Sequence, residues 1–288
     1  MMKYVSFKAV SGVILQIFLL IIPFIMPLYT PRTDIGTLLT VISLLFAILI
    51  GFFIAASTSN LLRLQTLIAD EDASLIALYD YAKLISAAAA KRISAAIDVY
   101  MIAALDYDQL EYSAYTRDRL HDIMRAVNSI KPKGAEALQL YQPMHETKNH
   151  LYAINQESAL TSKKIISFSH WLILLILSVL LGALLLTVRD GGWLTSLIIG
   201  LLFVAIYRVL ELMYDIDSNE ILAKQLSFEN AQHVFQSIDK LPYFPGYALE
   251  RGYAHPPQKP YRIGVYLKTG SLEKKIKLVK PRARHASS

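Results

Sequence analysis

Four apolar stretches punctuate the chain. Residues 9–30, 35–62 and 165–188 run for 22, 28 and 24 positions without a charged side chain, and residues 191–207 for 17. Arg208 follows the last stretch and can snorkel to an interface. About 20 apolar helical residues cross a bilayer core roughly 30 Å thick. Four such runs in 288 residues argue against the buried core helices of a soluble protein. The spacing predicts two transmembrane hairpins, because only residues 31–34 separate the first pair and only Arg189 and Asp190 the second. The first stretch exceeds the 7–15 apolar residues of a signal peptide, and no small-residue cleavage site follows it. It reads as an uncleaved anchor, kinked by Pro23 and Pro27, which each remove a helical hydrogen bond.

Beyond residue 62 the pattern changes to one apolar stripe at helical spacing. Leu64, Leu67, Ile68, Leu75, Leu78, Ala82, Ile85, Ala89, Ile93, Ile97 and Met101 recur mainly at steps of three, four and seven. No Pro or Gly interrupts between Phe52 and Pro132. The second span is therefore expected to continue into one long helix ending near Leu105. Further helices are expected over about 108–130 and from about residue 134 toward the third span, the latter bent at Pro143. After the fourth span, a helix is expected over about 227–240, with Ser227 as its N-cap. Residues 261–281 alternate apolar and polar around Thr269-Gly270, which fits either a β-hairpin or a disordered tail. In the hairpin, Ile263, Val265 and Leu267 share one face and Ile276 and Leu278 another.

The expected fold is all-α and polytopic: four transmembrane helices, a helical cytoplasmic insert and a basic C-terminal tail. Its segments are residues 1–62, 63–164, 165–213 and 214–288. Orientation follows from Lys and Arg near the span ends. Lys3, Lys8, Arg63, Lys163, Lys164, Arg208 and Lys224 lie on one side, against Arg32 and Arg189 on the other. Both termini and the insert are thus expected to be cytoplasmic in a multi-pass cell-membrane protein.

Composition sharpens this picture. The chain is 54% hydrophobic and 18% charged, below the roughly 25% charged residues of soluble domains. It contains no cysteine, which excludes disulfides, thiolate metal sites and cysteine nucleophiles. Residues 259–288 hold nine Lys and Arg against one Glu273, whereas the rest of the chain is close to neutral. The net charge of +6 therefore belongs to one tail and is not a nucleic-acid footprint. Lys274, Lys275, Lys277, Lys280, Arg282 and Arg284 are candidates for anionic-lipid binding, against the alternative of a solvated tail.

Candidate chemistry is sparse. His145-Glu146 and His150 approach a zinc-binding motif, but a spacing of five turns the second imidazole about 140° from the first. Two solvated histidines fit better, and neither metal nor cofactor is expected. The chain contains no nucleophile-elbow or phosphate-loop motif, so it is not read as an enzyme. Arg208 and Glu211 are spaced for an intrahelical ion pair at the interface. Asp70, Glu71 and Asp72 would form an acidic ring in a symmetric oligomer, or else an exposed solvated helix face. In the second span Leu44, Ile48 and Phe52 recur every four residues. Such a stripe would line a hydrophobic constriction, or pack against lipid and neighbouring helices.

The layout resembles that of the bestrophins and their bacterial bestrophin-like relatives. The local match is Leu44-Leu-Phe-Ala-Ile48-Leu-Ile-Gly51-Phe52, similar to the apolar run ending in Gly-Phe that forms the bestrophin pore neck. A second match is Asp70-Glu-Asp-Ala-Ser-Leu-Ile-Ala-Leu-Tyr79. Bestrophins follow Gly-Phe with Arg or Asn and aromatic residues, whereas Phe53-Ile-Ala-Ala follows here. The resemblance implies a homopentameric ion channel in the lipid bilayer, passing inorganic ions, with Leu44, Ile48 and Phe52 at the neck. The alternative is a non-conducting membrane scaffold or signalling effector working through its helical insert. A transporter or a membrane enzyme fits less well.

Overall fold

The computed structural model describes residues 2–28, 35–106, 116–163, 165–218, 228–250, 252, 254–255, 257–266 and 274–280. Its elements are α1 (Met2–Ile25), α2 (Gly36–Ile85), α3 (Ala87–Asp106), α4 (Arg117–Asn128), α5 (Ala135–Thr161), α6 (Phe168–Thr187), α7 (Trp193–Asp217), α8 (Phe228–Ser237), β1 (Tyr243–Pro245), α9 (Gly246–Glu250), β2 (Tyr261–Tyr266) and β3 (Lys274–Val279). They form two compact units, Met1–Leu61 with Lys164–Ile221 and Leu62–Lys163 with Leu222–Ser288.

In the first unit, α2, α6 and α7 are each long and apolar enough to cross a membrane, and α1 contributes the shorter apolar stretch Ser11–Ile25. Phe46, Ile50 and Phe53 of α2 pack with Leu174 and Leu181 of α6 and Met213 of α7. Most other apolar side chains of these helices are exposed, as expected where a bilayer rather than water surrounds them. Helices α1 and α7 pack at very short range through Gly200. A Cβ there would lie 2.5 Å from the Leu20 carbonyl oxygen, so only glycine permits this approach. The entry to α6 is held by Asp217 at the end of α7, whose Oδ1 accepts the Ile165 and Ile166 amides at 3.1 Å each. A buried carboxylate thereby satisfies two backbone donors just ahead of a helix N-terminus.

The second unit is a helical bundle with a small sheet. The stripe read from the sequence is its core: Leu75, Leu78 and Ala82 of α2 meet Ala89, Ile93, Ile97 and Tyr100 of α3, with Leu120, Ile123 and Val127 from α4. Met144 and Leu151 of α5 and Val234, Phe235 and Ile238 of α8 complete it. One expectation is corrected. The helix does not run unbroken to Leu105 but breaks at Ser86. The Ser86 hydroxyl accepts the Ala89 amide at 3.1 Å, an N-cap that starts α3 without any proline or glycine. Pro143 lies inside α5, and Gly134 precedes that helix at φ 91°, a conformation that favours glycine. The expected segment 108–130 is described as helix only over Arg117–Asn128, and residues 107–115 and Ser227 lie outside the described residues.

The expected hairpin exists and is part of a larger element, so the chain is mostly but not wholly helical. Strand β2 pairs antiparallel with β3, with Arg262 opposite Leu278 and Gly264 opposite Ile276. It also pairs parallel with β1, which the sequence pattern did not predict. Two prolines flank or end β1, and its backbone is partly held by a side chain: the Gln232 amide donates to the Tyr243 carbonyl at 2.8 Å and accepts its N–H at 2.9 Å. No short-range signal marks that pairing. Leu267, Thr269 and Gly270 lie outside the described residues.

Candidate functional site

Leu44, Ile48 and Phe52 share one face of α2. They are 59%, 59% and 66% exposed, whereas Phe46, Ile50 and Phe53 turn inward to the unit's core. A period near four against a helical 3.6 keeps all three on one stripe over two turns. Gly51 beside them has open space around it, and Val41 and Leu45 widen the exposed arc. The stripe offers no hydrogen-bonding side chain. Thr40 satisfies its hydroxyl on the Gly36 carbonyl at 2.9 Å, and Ser43 does so on Leu39. The Phe53 ring lies 5.0 Å from that of His170 at the start of α6, tilted by 43°, an aromatic contact between the two helices.

The three acidic residues of 70–72 are not equivalent. Asp70 is exposed. Glu71 is only 4% exposed, and the Tyr100 hydroxyl donates to its carboxylate. Asn155 of α5 donates in turn to the Tyr100 oxygen at 3.5 Å. Glu71 therefore belongs to a polar network inside the bundle and does not share the outer face of Asp70, contrary to the exposed cluster expected. Burial, and then the Glu71 charge, push the Asp72 carboxyl up to about 7. Asp70 instead lines an open groove of about 440 Å³ with Ser74, Ala77, Glu146, Thr147 and His150.

The two histidines of α5 have different surroundings. His150 lines that groove, while His145 lies against the Tyr141 ring at 4.6 Å and the Lys148 ammonium at 3.0 Å. Burial, then Lys148, depress the His145 pKa. No group of three or more His, Asp or Glu among the described residues is placed to hold a metal ion. Arg208 and Glu211 form their ion pair at 2.8 Å.

The basic tail is corrected most. Lys274 is not available to lipid: its ammonium pairs with Asp106 at the end of α3 and donates to the Tyr243 hydroxyl at 3.2 Å. Tyr243 also donates to Asp106, at 2.8 Å. Burial depresses the Lys274 pKa to about 8. Arg262 is likewise internal, with two nitrogens on the Asp98 carboxylate and two on the Leu241 carbonyl. Lys275, Lys277 and Lys280 are exposed, while Arg282 and Arg284 lie outside the described residues. Sequence reading missed Tyr100, Asn155, Asp98 and Asp106 because their partners are far away along the chain. Tyr79 was missed for the same reason: it donates to Asp239 at 2.6 Å, and that bond, with burial, pushes its pKa up to about 12.

The sequence model of the bestrophin-like domain matches residues 12–218, most of the chain, so the chain belongs to the bestrophin-like family. No curated protein matches it. No solved structure matches it either. The matched region includes α2 with its stripe and ends before α8 and the sheet.

Proposed function

We propose that this bestrophin-like membrane protein is a homo-oligomeric ion channel, with α2 lining the pore and Leu44, Ile48 and Phe52 forming its neck. The observation that carries the reading is the exposed stripe on α2, free of charge and of spare hydrogen-bonding groups, on a helix whose other face is packed. Around a symmetry axis, rings of Leu, Ile and Phe side chains would narrow the conduit and gate ions by excluding water. The family resemblance suggests five subunits. Asp70, the exposed member of the acidic trio, would be the carboxylate that meets permeating ions in this reading. Four spans, with α1 as the first, and cytoplasmic termini follow from the apolar runs and from the Lys and Arg at their ends.

Planar-bilayer recording of the purified protein tests the reading, with the subunit number measured in lipid nanodiscs. Unitary conductance that rises several-fold in the Ile48→Ala, Phe52→Ala double variant is expected. Silence in both proteins would sink the channel. A monomer or dimer would leave a central pore without walls and would favour the non-conducting scaffold.

A further inference from the structure

The C-terminal sheet lies beyond the family match and ends on the edge of β3. Strand β3 pairs with β2 on one side, and among the described residues no strand occupies the other. Both of its faces are open over the centre of the strand: Lys275 and Lys277 are exposed on one, Ile276 (48%) and Leu278 (54%) on the other. Lys280 beyond the strand end is exposed as well.

This edge is rigidly mounted. Arg262 ties β2 to α3 through Asp98, and Lys274 ties the start of β3 to Asp106. Gly264 lets β2 lie under the Tyr243 ring, since a Cβ there would collide with the tyrosine hydroxyl. Among the described residues no strand pairs with the outer backbone donors and acceptors of β3, and the edge is already extended, so little of the ordering cost of strand addition falls on it.

We propose that the outer edge of β3 is a docking edge for an extended acidic segment of another protein, added as a fourth strand. In such an addition the residues facing Lys275 and Lys277 would be Asp or Glu, and those facing Ile276 and Leu278 would be aliphatic. The lysines disfavour a second copy of the same strand. Antiparallel self-pairing about Ile276 sets Lys275 opposite Lys277, and pairing about Lys277 sets that residue opposite itself. A flat anionic bilayer fits less well than a strand, because the lysines and the aliphatic side chains point to opposite faces and one surface cannot take both.

The test uses the full-length protein in phosphatidylcholine nanodiscs and a fluorescent peptide of alternating Glu and Val, read by anisotropy. Saturable binding is expected, weakened at least tenfold in Lys275→Glu, Lys277→Glu and in Ile276→Ser, Leu278→Ser. An alternating Lys and Val peptide should recover binding to the charge-reversed protein. Two further peptides, N-methylated on all Glu or on all Val residues, decide whether the backbone takes part. One of the two must lose binding, and equal binding by both would overturn strand addition. Binding of the lysines to phosphatidylserine vesicles in place of the peptide, or a β3-dependent self-association, would also overturn it. Unchanged thermal midpoints in the variants establish that the sheet remains folded.

Discussion

Arg262 holds Asp98 through its two terminal guanidinium nitrogens, at 2.8 and 2.7 Å, across 164 residues of sequence. The pair is largely shielded from solvent, and the guanidinium also lies over the Phe235 ring at 5.1 Å. The C-terminal segment is thereby an integral part of the helical unit, and the ion pair is a point where that integration can be broken. Arg262→Ala leaves a shielded carboxylate without its partner and should cost about 3 kcal/mol. Arg262→Lys should recover only part of this, because an ammonium cannot reproduce the fork. Thermal unfolding in detergent measures both.

Asp72 gives the second unit a pH dependence of definite sign. Its folded pKa is about 7 against an ordinary 3.8, so the folded state binds the proton more tightly than the unfolded state. This contribution to stability is greatest below about pH 4 and is lost as pH rises to 7. Each pKa unit corresponds to about 1.4 kcal/mol, so the loss across the window is on the order of a few kcal/mol. Asp72→Asn should flatten the decline and be more stable than the parent above pH 7. Unfolding midpoints at pH 5 and pH 8 give the comparison.

The two faces of α2 should respond oppositely to truncation. Phe46→Ala or Ile50→Ala empties the first unit's core and should cost about 2–5 kcal/mol. Ile48→Ala removes a side chain that packs little within its own chain, so folding of the subunit should change little while conductance changes. Expression and thermal midpoint beside bilayer recording separate the two effects.

Glycine positions offer a sharper contrast. Gly200→Ala would force a methyl group against the Leu20 carbonyl and should cost about 1–3 kcal/mol by pushing α1 from α7. Gly51→Ala, in open space, should be close to neutral. Thermal midpoints of the two variants in the same detergent should separate cleanly.

Among the tail lysines the structure predicts an inequality where the sequence shows a uniform basic run. Lys274→Ala should destabilise the second unit, because it removes the cation that neutralises Asp106, a carboxylate only 6% exposed that would keep the Tyr243 hydroxyl but lose its counter-charge. Lys275→Ala should leave stability within about 0.5 kcal/mol, as for other exposed positions. Denaturation of the two variants side by side checks this.

What was legible beforehand rests on periodicity and on the bilayer's demands. Long chargeless runs announce membrane helices wherever they occur, and steps of three and four named Leu75, Leu78, Ile93 and Ile97 as core before any fold was known. The spacing of Leu44, Ile48 and Phe52 placed them on one stripe, because helix geometry is local. What the stripe faces was not local. Its exposure, with Phe46, Ile50 and Phe53 turned inward, was decided by the packing of α6 and α7. Likewise Glu71 and Asp70 are neighbours in sequence and have different surroundings, because the step of about 100° between successive helical residues puts Glu71 under Tyr100 and leaves Asp70 outside. Lys274 and Lys275 differ for the same reason, through the alternation of a strand whose partners come from α3 and β1. Sequence by itself determined which residues are apolar, helical and periodic. Tertiary structure decided which charges are neutralised inside and which remain on the surface, since those partners lie tens to more than a hundred residues apart.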